Sequence, residues 1–257
     1  MYTRKKINRP WEGYIEPFEI VKSVYFVGTF QTSCHMIDTG DGLVLIDTGN
    51  ADTATMIVDS IFRLGFDPRD IKYILSTHWH NDHTACQKFF HHFYGAKTTI
   101  GRPDVDYVQG GYIFNPDLIV DDGDKIALGD KVFEFVHTPG HTKGTMSIFF
   151  EVKDGDKTYR VGMFGGAGAN TLTKSAASYY EGATDDYLAS IDKLLARPVD
   201  VFIGNHTWNN DTERKGKRLR EEGVNEFIDP NEWTKFLTFC RQRCLDTIEK
   251  DKEKFGK

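Results

Sequence analysis

The stretch Ile71–His83 reads IKYILSTHWHNDH, an apolar run that leads directly into four metal-competent side chains. The apolar part, Ile71–Ser76, is typical of a buried strand, and an H-x-H-x-D-H motif begins just after it at His78. Imidazole nitrogens suit zinc, and a carboxylate can both bind a metal and transfer a proton. A polar loop that is rich in histidine by chance is the alternative, but so dense a set of ligands favours a site for two adjacent metal ions.

Two further histidines stand at the same kind of position, directly after a predicted strand. His141 lies in a T-P-G-H-T segment that follows the strand Val132–Val136, and its Pro-Gly pair predicts an abrupt turn. His206 lies in G-N-H-T, just past the strand Val199–Ile203. Each would be an ordinary turn histidine if it stood alone, but loops at strand ends collect binding residues because the sheet supplies rigidity. With the motif they give five imidazoles and one carboxylate, which divide into two sets of three and leave room for solvent or substrate.

The rest of the chain predicts two β-sheets with helices outside them. Predicted strands cover residues 24–27, 34–37, 43–46, 71–76, 97–100, 125–128, 132–136, 145–152, 158–164 and 199–203, and predicted helices cover about 52–65, 84–94, 185–196, 211–222 and 231–250. The segment 102–116 is rich in glycine and aromatic residues and is expected to be irregular, as a pocket wall or lid. Because helices alternate with strands in both halves, the pattern indicates an α/β fold with two mixed sheets packed face to face.

Composition limits the partners and the location. The formal net charge is −6 and the basic residues are scattered, which disfavours nucleic acid as a partner. No apolar stretch is long enough to span a membrane. With nucleic acid and membrane both disfavoured, the expected partner is a small-molecule substrate. The oligomeric state is left open. The polar start and four cysteines, read as reduced thiols, predict a cytoplasmic protein, or an exported one if a leader has been removed. Without any linker-like segment, residues 1–257 are expected to form a single domain.

Three sequence features together resemble those of metallo-β-lactamase-fold hydrolases: the H-x-H-x-D-H run, the turn Asp47-Thr48-Gly49 and the T-P-G-H-T segment. The likeness to subclass B3 metallo-β-lactamases extends over nearly the whole chain, and it implies their four-layer αββα sandwich. The ligands that it implies are His78, His80 and His141 for one zinc ion, and Asp82, His83 and His206 for the other. Asp47 is expected to steady a ligand histidine from outside the metal's own ligands.

The resemblance also implies a reaction, the hydrolysis of a cyclic amide such as a β-lactam. A hydroxide shared by two zinc ions would attack the carbonyl carbon, and Asp82 would orient this nucleophile and relay its proton. Tyr112 and Phe114, in the aromatic part of the irregular segment, are candidates for substrate contacts, and Asn170 is a third.

Three alternatives stay open. Gly166 and Gly168 stand where serines often help to hold the drug's carboxylate in subclass B3, so the first alternative is a cytosolic lactonase or thioesterase with little β-lactamase activity. An iron-loaded oxidoreductase is the second, although the segment after Phe164 lacks the carboxylate that bridges two metals in many relatives. A non-catalytic binding protein is the third, and the complete ligand set disfavours it.

Overall fold

The computed structural model describes residues 9–109 and 114–256. The strands are β1 Phe18–Val21, β2 Val24–Phe26, β3 His35–Asp38, β4 Leu43–Ile46, β5 Ile71–Leu75, β6 Lys97–Gly101, β7 Leu118–Val120, β8 Lys125–Leu128, β9 Lys131–His137, β10 Met146–Asp154, β11 Lys157–Met163 and β12 Val201–Phe202. The α-helices are α1 Ala54–Arg63, α2 Asn81–Thr84, α3 Gln87–Tyr94, α4 Val105–Val108, α5 Ala183–Leu195, α6 Thr212–Glu222 and α7 Glu232–Phe255. Short 3-10 turns occupy Pro10–Gly13, Ala51–Thr53, Pro68–Asp70 and Arg102–Asp104. Within the described ranges no helix has the length and apolarity needed to cross a membrane.

The strands form two mixed sheets, as the sequence predicts. The first sheet runs in chain order from β1 to β7, antiparallel from β1 to β4 and parallel from β4 to β7. The second has the order β12-β11-β10-β9-β8, in which only the pair of β11 and β12 is parallel.

The side chains of each sheet alternate between two apolar layers, and this alternation produces the four-layer α/β sandwich. In β4, Val44 and Ile46 enter the core between the sheets, whereas Leu43 and Leu45 pack under α1 and α3. In β10, Ile148 faces the same central core. Phe149, the next residue, packs on the opposite face with residues of α5 and α7.

Some elements differ from those predicted. β1 and β7 were not expected, because β1 does not alternate cleanly between buried and exposed residues and β7 is only a short strand at the edge of its sheet. The predicted helix 84–94 is divided into α2 and α3, and the first of these turns carries the end of the histidine motif. Helix α4 lies inside the segment predicted to be irregular, where burial of Val105 and Val108 stabilises a single turn.

Two backbone hydrogen bonds join the loops at one edge of the two sheets. Met146 N donates to Thr77 O at 2.7 Å and links the entry of β10 to the loop after β5. Ser33 N donates to Asn205 O at 3.1 Å and links the segment before β3 to the loop after β12. This edge is where the motif, His141 and His206 meet.

Candidate metal centre

The six predicted ligands lie together as two sets of three. The first trio is His78, His80 and His141, and the second trio is Asp82, His83 and His206. Within each trio the candidate ligand atoms are all within 4.8 Å of one another. The rings of His78 and His83, one from each trio, have centroids 4.2 Å apart, so the two sets are adjacent.

The motif reaches this arrangement through a loop followed by one helical turn. Ser76 N donates to Thr99 Oγ1 at 3.1 Å, which holds the loop against β6 as it leaves β5. His83 N then donates to His80 O at 2.9 Å and closes the turn α2. His78 and His80 in the loop therefore belong to the first trio, and Asp82 and His83 in the helical turn belong to the second.

Two of the three imidazoles in the first trio have an outer nitrogen that is held as a hydrogen-bond donor. His141 Nδ1 lies 2.8 Å from Gly168 O, an oxygen that can only accept, so this nitrogen carries the proton. His78 Nδ1 lies 3.0 Å from Thr77 Oγ1, whose own hydrogen is donated to Asp47 Oδ2 at 2.8 Å. Because each ring carries its proton on Nδ1, the Nε2 atom of each ring has a free lone pair. His80 Nδ1 lies 3.0 Å from His141 Nε2.

In the second trio an outer imidazole nitrogen is also held as a hydrogen-bond donor, but the acceptor is a charged carboxylate. His83 Nδ1 donates to Asp47 Oδ2 at 2.7 Å, and Thr77 N donates to Asp47 Oδ1 at 2.9 Å. Asp47 is buried, with a φ of 58° in the left-handed region, which a short polar side chain tolerates. His206 Nδ1 donates to Gln31 O at 3.0 Å. Asp47 thus contacts a candidate ligand histidine, and its role in steadying that histidine stays a prediction.

Asp82 completes the second trio from its more exposed side. Its Oδ2 lies 3.6 Å from His83 Nε2 and 3.8 Å from His206 Nε2. Burial acts to raise the pKa of Asp82, but the nearby imidazoles of His83, His206 and His80 lower it overall.

Most of the imidazoles are held in the neutral form. Burial lowers the pKa of His80 to about 4, of His206 to about 4 and of His141 to about 3. Burial, together with the neighbouring histidines, brings the pKa of His78 well below its usual range. His83 differs: burial acts to lower its pKa, but Asp82 and Asp47 raise it overall.

The donor sets fit metal ions. Among the residues that the structure describes, His78 Nε2 and His83 Nε2 are buried polar atoms with no hydrogen-bond partner. This arrangement costs free energy unless another group binds their lone pairs. Neutral imidazoles with the outer nitrogen fixed by a hydrogen bond are the form in which histidine binds metal. Three protein ligands at each set also leave a coordination position open, as a catalytic metal requires.

Asp104 is part of this region and was not predicted from the sequence. Its buried carboxylate accepts from Trp79 N at 3.2 Å, from Thr142 Oγ1 at 2.7 Å and from Gly144 N at 2.8 Å. Burial raises its pKa to about 6, although these donors act in the opposite direction. Asp104 therefore ties together the two loops that carry the first trio.

The predicted substrate contacts are in different places. Tyr112 lies outside the described residues. Phe114 is buried with Ile100 and the apolar residues of α4, in a cluster against which Trp79 packs. Asn170 is exposed and borders a cavity lined by residues of α7. Phe114 and Asn170 stay predictions as substrate contacts.

The glycines that stand in place of serines pack directly against His141. A Cβ added to Gly166 would lie 2.7 Å from His141 Cβ, and one added to Gly168 would lie 3.0 Å from His141 Cε1. For Gly168 the nearest atom is Asn170 Oδ1, at 2.5 Å, so a side chain at either glycine would require neighbouring side chains to shift.

The chain was compared with protein families, with solved structures and with curated sequences. The family model of the metallo-beta-lactamase superfamily matches residues 27–206. The structure resembles that of BJP-1, a subclass B3 metallo-beta-lactamase of Bradyrhizobium japonicum, with a TM-score of 0.88 and 31% identity over 96% of this chain and 98% of that one. It also resembles the native FEZ-1 metallo-beta-lactamase of Legionella gormanii, with a TM-score of 0.88 and 27% identity over 93% of this chain and 98% of that one.

Among curated sequences, an N-acyl homoserine lactonase of a Bacillus species is 26% identical over 47% of this chain and 58% of its own length. The chain spans about half the length of the curated relatives that it matches.

Proposed function

Because this chain belongs to the metallo-beta-lactamase superfamily, we propose that it is a two-zinc hydrolase that opens a cyclic amide of the β-lactam kind. The observation that carries the proposal is the pair of trios, in which the buried Nε2 atoms of His78 and His83 have no hydrogen-bond partner in the described part of the chain. The structural likeness to subclass B3 metallo-beta-lactamases over nearly the whole chain supports the choice of substrate.

Zinc is proposed because both trios consist mainly of imidazoles, which suit this ion in a site with three protein ligands. When bound, a zinc pair supplies a Lewis acid for a carbonyl oxygen and lowers the pKa of a water molecule to about 7. His78, His80 and His141 would hold one ion, and Asp82, His83 and His206 the other.

The chain's own residues orient the reactants and move the proton. Asp82 is the one carboxylate within the two trios, and its side chain is 26% exposed, so water and substrate can reach it. In the proposed reaction an oxygen of Asp82 accepts the proton of the attacking water and aligns that water with the substrate carbonyl. Asp47 stabilises His83 in the tautomer that presents Nε2 to a metal, because its Oδ2 accepts the proton on Nδ1.

A second candidate is the hydrolysis of a lactone or thioester at the same site. The N-acyl homoserine lactonase among the curated relatives favours it, as do Gly166 and Gly168, which offer no hydroxyl group to a β-lactam carboxylate. The attack on the carbonyl is the same in both cases, and only the departing atom differs.

The test combines metal analysis with a substrate panel. Purified protein is expected to contain two equivalents of zinc and to hydrolyse β-lactams more rapidly than lactones or thioesters. Faster hydrolysis of a lactone or thioester would select the second candidate. Only traces of bound metal after growth and purification with zinc would contradict both.

A further inference from the structure

A cavity of about 320 Å³ opens beside His80, on the outer side of the first trio. Its lining includes Trp79, Tyr107, Thr142, Lys143, Tyr179 and Tyr180. We call it the aromatic pocket. Since His80 borders it, a molecule bound there would lie next to the atoms of the proposed metal site.

The aromatic wall of this pocket is fixed in place. The rings of Trp79 and Tyr107 are stacked, with centroids 4.7 Å apart and an interplanar angle of 11°. Trp79 is held by the hydrogen bond from its backbone N to Asp104, and it packs against the buried cluster that contains Phe114. On another side, the Tyr180 hydroxyl donates to Asp186 Oδ2 at 2.8 Å. Fixed aromatic surfaces of this kind bind planar apolar groups at a small entropic cost.

The pocket also contains a cation without a carboxylate partner. Lys143 Nζ lies 5.2 Å from the centre of the Tyr180 ring, and within the described residues no carboxylate lies within 4 Å of this nitrogen. The backbone of Lys143 is anchored, because His137 Nε2 donates to its carbonyl oxygen at 2.7 Å. A fixed backbone places the ammonium at the pocket, where it is available to an anion.

Gly166 and Gly168, which pack against the His141 imidazole, contribute no charged or hydroxyl group. Lys143 is the lysine that lines the aromatic pocket, so an anionic group bound in this pocket is attracted to it.

We propose that the aromatic pocket is a specificity site for a substrate that carries a planar apolar group and, beside it, an anionic group. This inference rests on the proposed function, since it assigns the substrate class of the same site. The planar group lies against Trp79 and Tyr107, and the anionic group pairs with Lys143. The scissile carbonyl is then next to His80, and the chain discriminates against neutral and purely aliphatic amides and esters.

The test measures binding separately from turnover. Calorimetric titrations of the metal-loaded protein use 3-phenylpropanoate and its neutral counterpart 3-phenylpropanamide. We expect the carboxylate to bind about two- to fivefold more tightly than the amide, as for a partly exposed ion pair. Lys143→Met should abolish this preference, and Lys143→Arg should retain it. Tyr107→Ala should weaken binding of both probes.

Controls separate the pocket from the metal ions. Lys157→Met removes another exposed lysine, at the start of β11 and outside the lining of the pocket, and should leave the preference unchanged. Metal content is measured for every variant, because an anion attracted by the metal alone would keep its preference in Lys143→Met. A preference that survives in Lys143→Met, binding unaffected by Tyr107→Ala, or no binding of either probe would each overturn the inference.

Turnover distinguishes the two levels of the proposal. If the binding pattern is as expected but no amide, ester or thioester is hydrolysed, the proposed function is wrong and the pocket stands. If substrates are hydrolysed while the variants change neither probe binding nor the KM for anionic over neutral substrates, the pocket assignment is wrong and the proposed function stands.

Discussion

The first and the second trio are held in place by different kinds of partner. In the first trio the outer contacts are neutral: a backbone carbonyl and the hydroxyl of Thr171 meet His141, and a threonine hydroxyl meets His78. In the second trio the buried carboxylate of Asp47 meets His83, and Asp82 belongs to the set itself. The first trio is therefore a set of neutral nitrogens, and the second is an anionic set.

This difference indicates whether charge or loop geometry determines how tightly each trio would bind a cation. A cation in the second trio interacts directly with the charges of Asp82 and Asp47, and such interactions are strong where water is excluded. A cation in the first trio depends on the positions of three neutral rings, which are fixed by two loops that Asp104 joins. Changes of charge should therefore affect mainly the second trio, because Asp47 reaches the first trio only indirectly, through the Thr77 hydroxyl. Changes of loop geometry should affect mainly the first trio.

The largest effect is expected from Asp82→Asn. The amide oxygen can still lie near the metal, but it is neutral and accepts a proton poorly, so kcat should fall about 10³-fold. The midpoint of thermal unfolding should change little, because Asp82 is partly exposed. A variant that keeps wild-type kcat with full metal content would contradict the role given to this carboxylate.

A smaller effect, on the pH dependence of stability, is expected from replacing His35, which contacts the loop that carries His206. His35 is buried, and its Nε2 lies 3.0 Å from Gly204 O, in the loop that leads to His206. Burial lowers the pKa of His35 to about 4. Its contribution to the free energy of unfolding is therefore complete above pH 6.5, the ordinary pKa of histidine, and is lost as the pH falls toward 4.

His35→Gln keeps a donor for Gly204 O and removes this titration. Between pH 7 and pH 4 the metal-free wild type should lose roughly 3 kcal/mol more stability than the variant, as measured by urea unfolding at each pH. Comparing the two proteins cancels the opposite trend from Asp104, whose raised pKa makes stability fall as the pH rises from about 4 to 6. Parallel pH profiles would show that His35 is already protonated in the folded protein at pH 6.

Asp47→Asn tests the charge on the second trio. An asparagine that still accepts from Thr77 N through Oδ1 would present its NH₂ group to His83 Nδ1, which also carries a hydrogen. His83 would then favour the other tautomer, with its proton on Nε2, where a metal needs a lone pair. We expect the affinity of one of the two metal sites to fall about 10- to 100-fold, measured by competition with a chelator. Equal loss from both sites would argue against separate control of the trios.

The sequence predicts which candidate ligands meet, because these residues are close together in the chain or stand at strand ends. The motif is contiguous, and His141 and His206 each follow a strand, so the fold alone brings them to one edge. The two mixed sheets are predictable because strands such as β10 and β11 are long, with nine and seven residues, and are joined by the hairpin turn at Asp154-Gly155. A short strand such as β1, with four residues, gives a weaker signal.

Residues that act through loop-to-loop contacts are not predictable in this way. Asp104 lies in an R-P-D segment that has no motif of its own, and its partners are 25 to 40 residues away along the chain. The same holds for Lys143 and Tyr180, which meet only after the loops have folded. A pairwise contact of this kind leaves no periodic or spacing signal in a single sequence.

The smallest effect, and the clearest counterpart to Asp47→Asn, is expected from Asp104→Asn. One carboxylate oxygen accepts from Trp79 N and Thr142 Oγ1, and the other accepts from Gly144 N, so an amide group loses acceptors at one of these places. The loops of the first trio should loosen, with a loss of about 1–2 kcal/mol in stability and up to about tenfold in metal affinity. Cobalt(II) absorption spectra can assign the weakened site, because an all-imidazole set and a set with a carboxylate give different bands. If Asp104→Asn weakened the second trio and left the first unchanged, the division between charge and geometry would be wrong, because the groups that donate to Asp104 lie beside the histidines of the first trio.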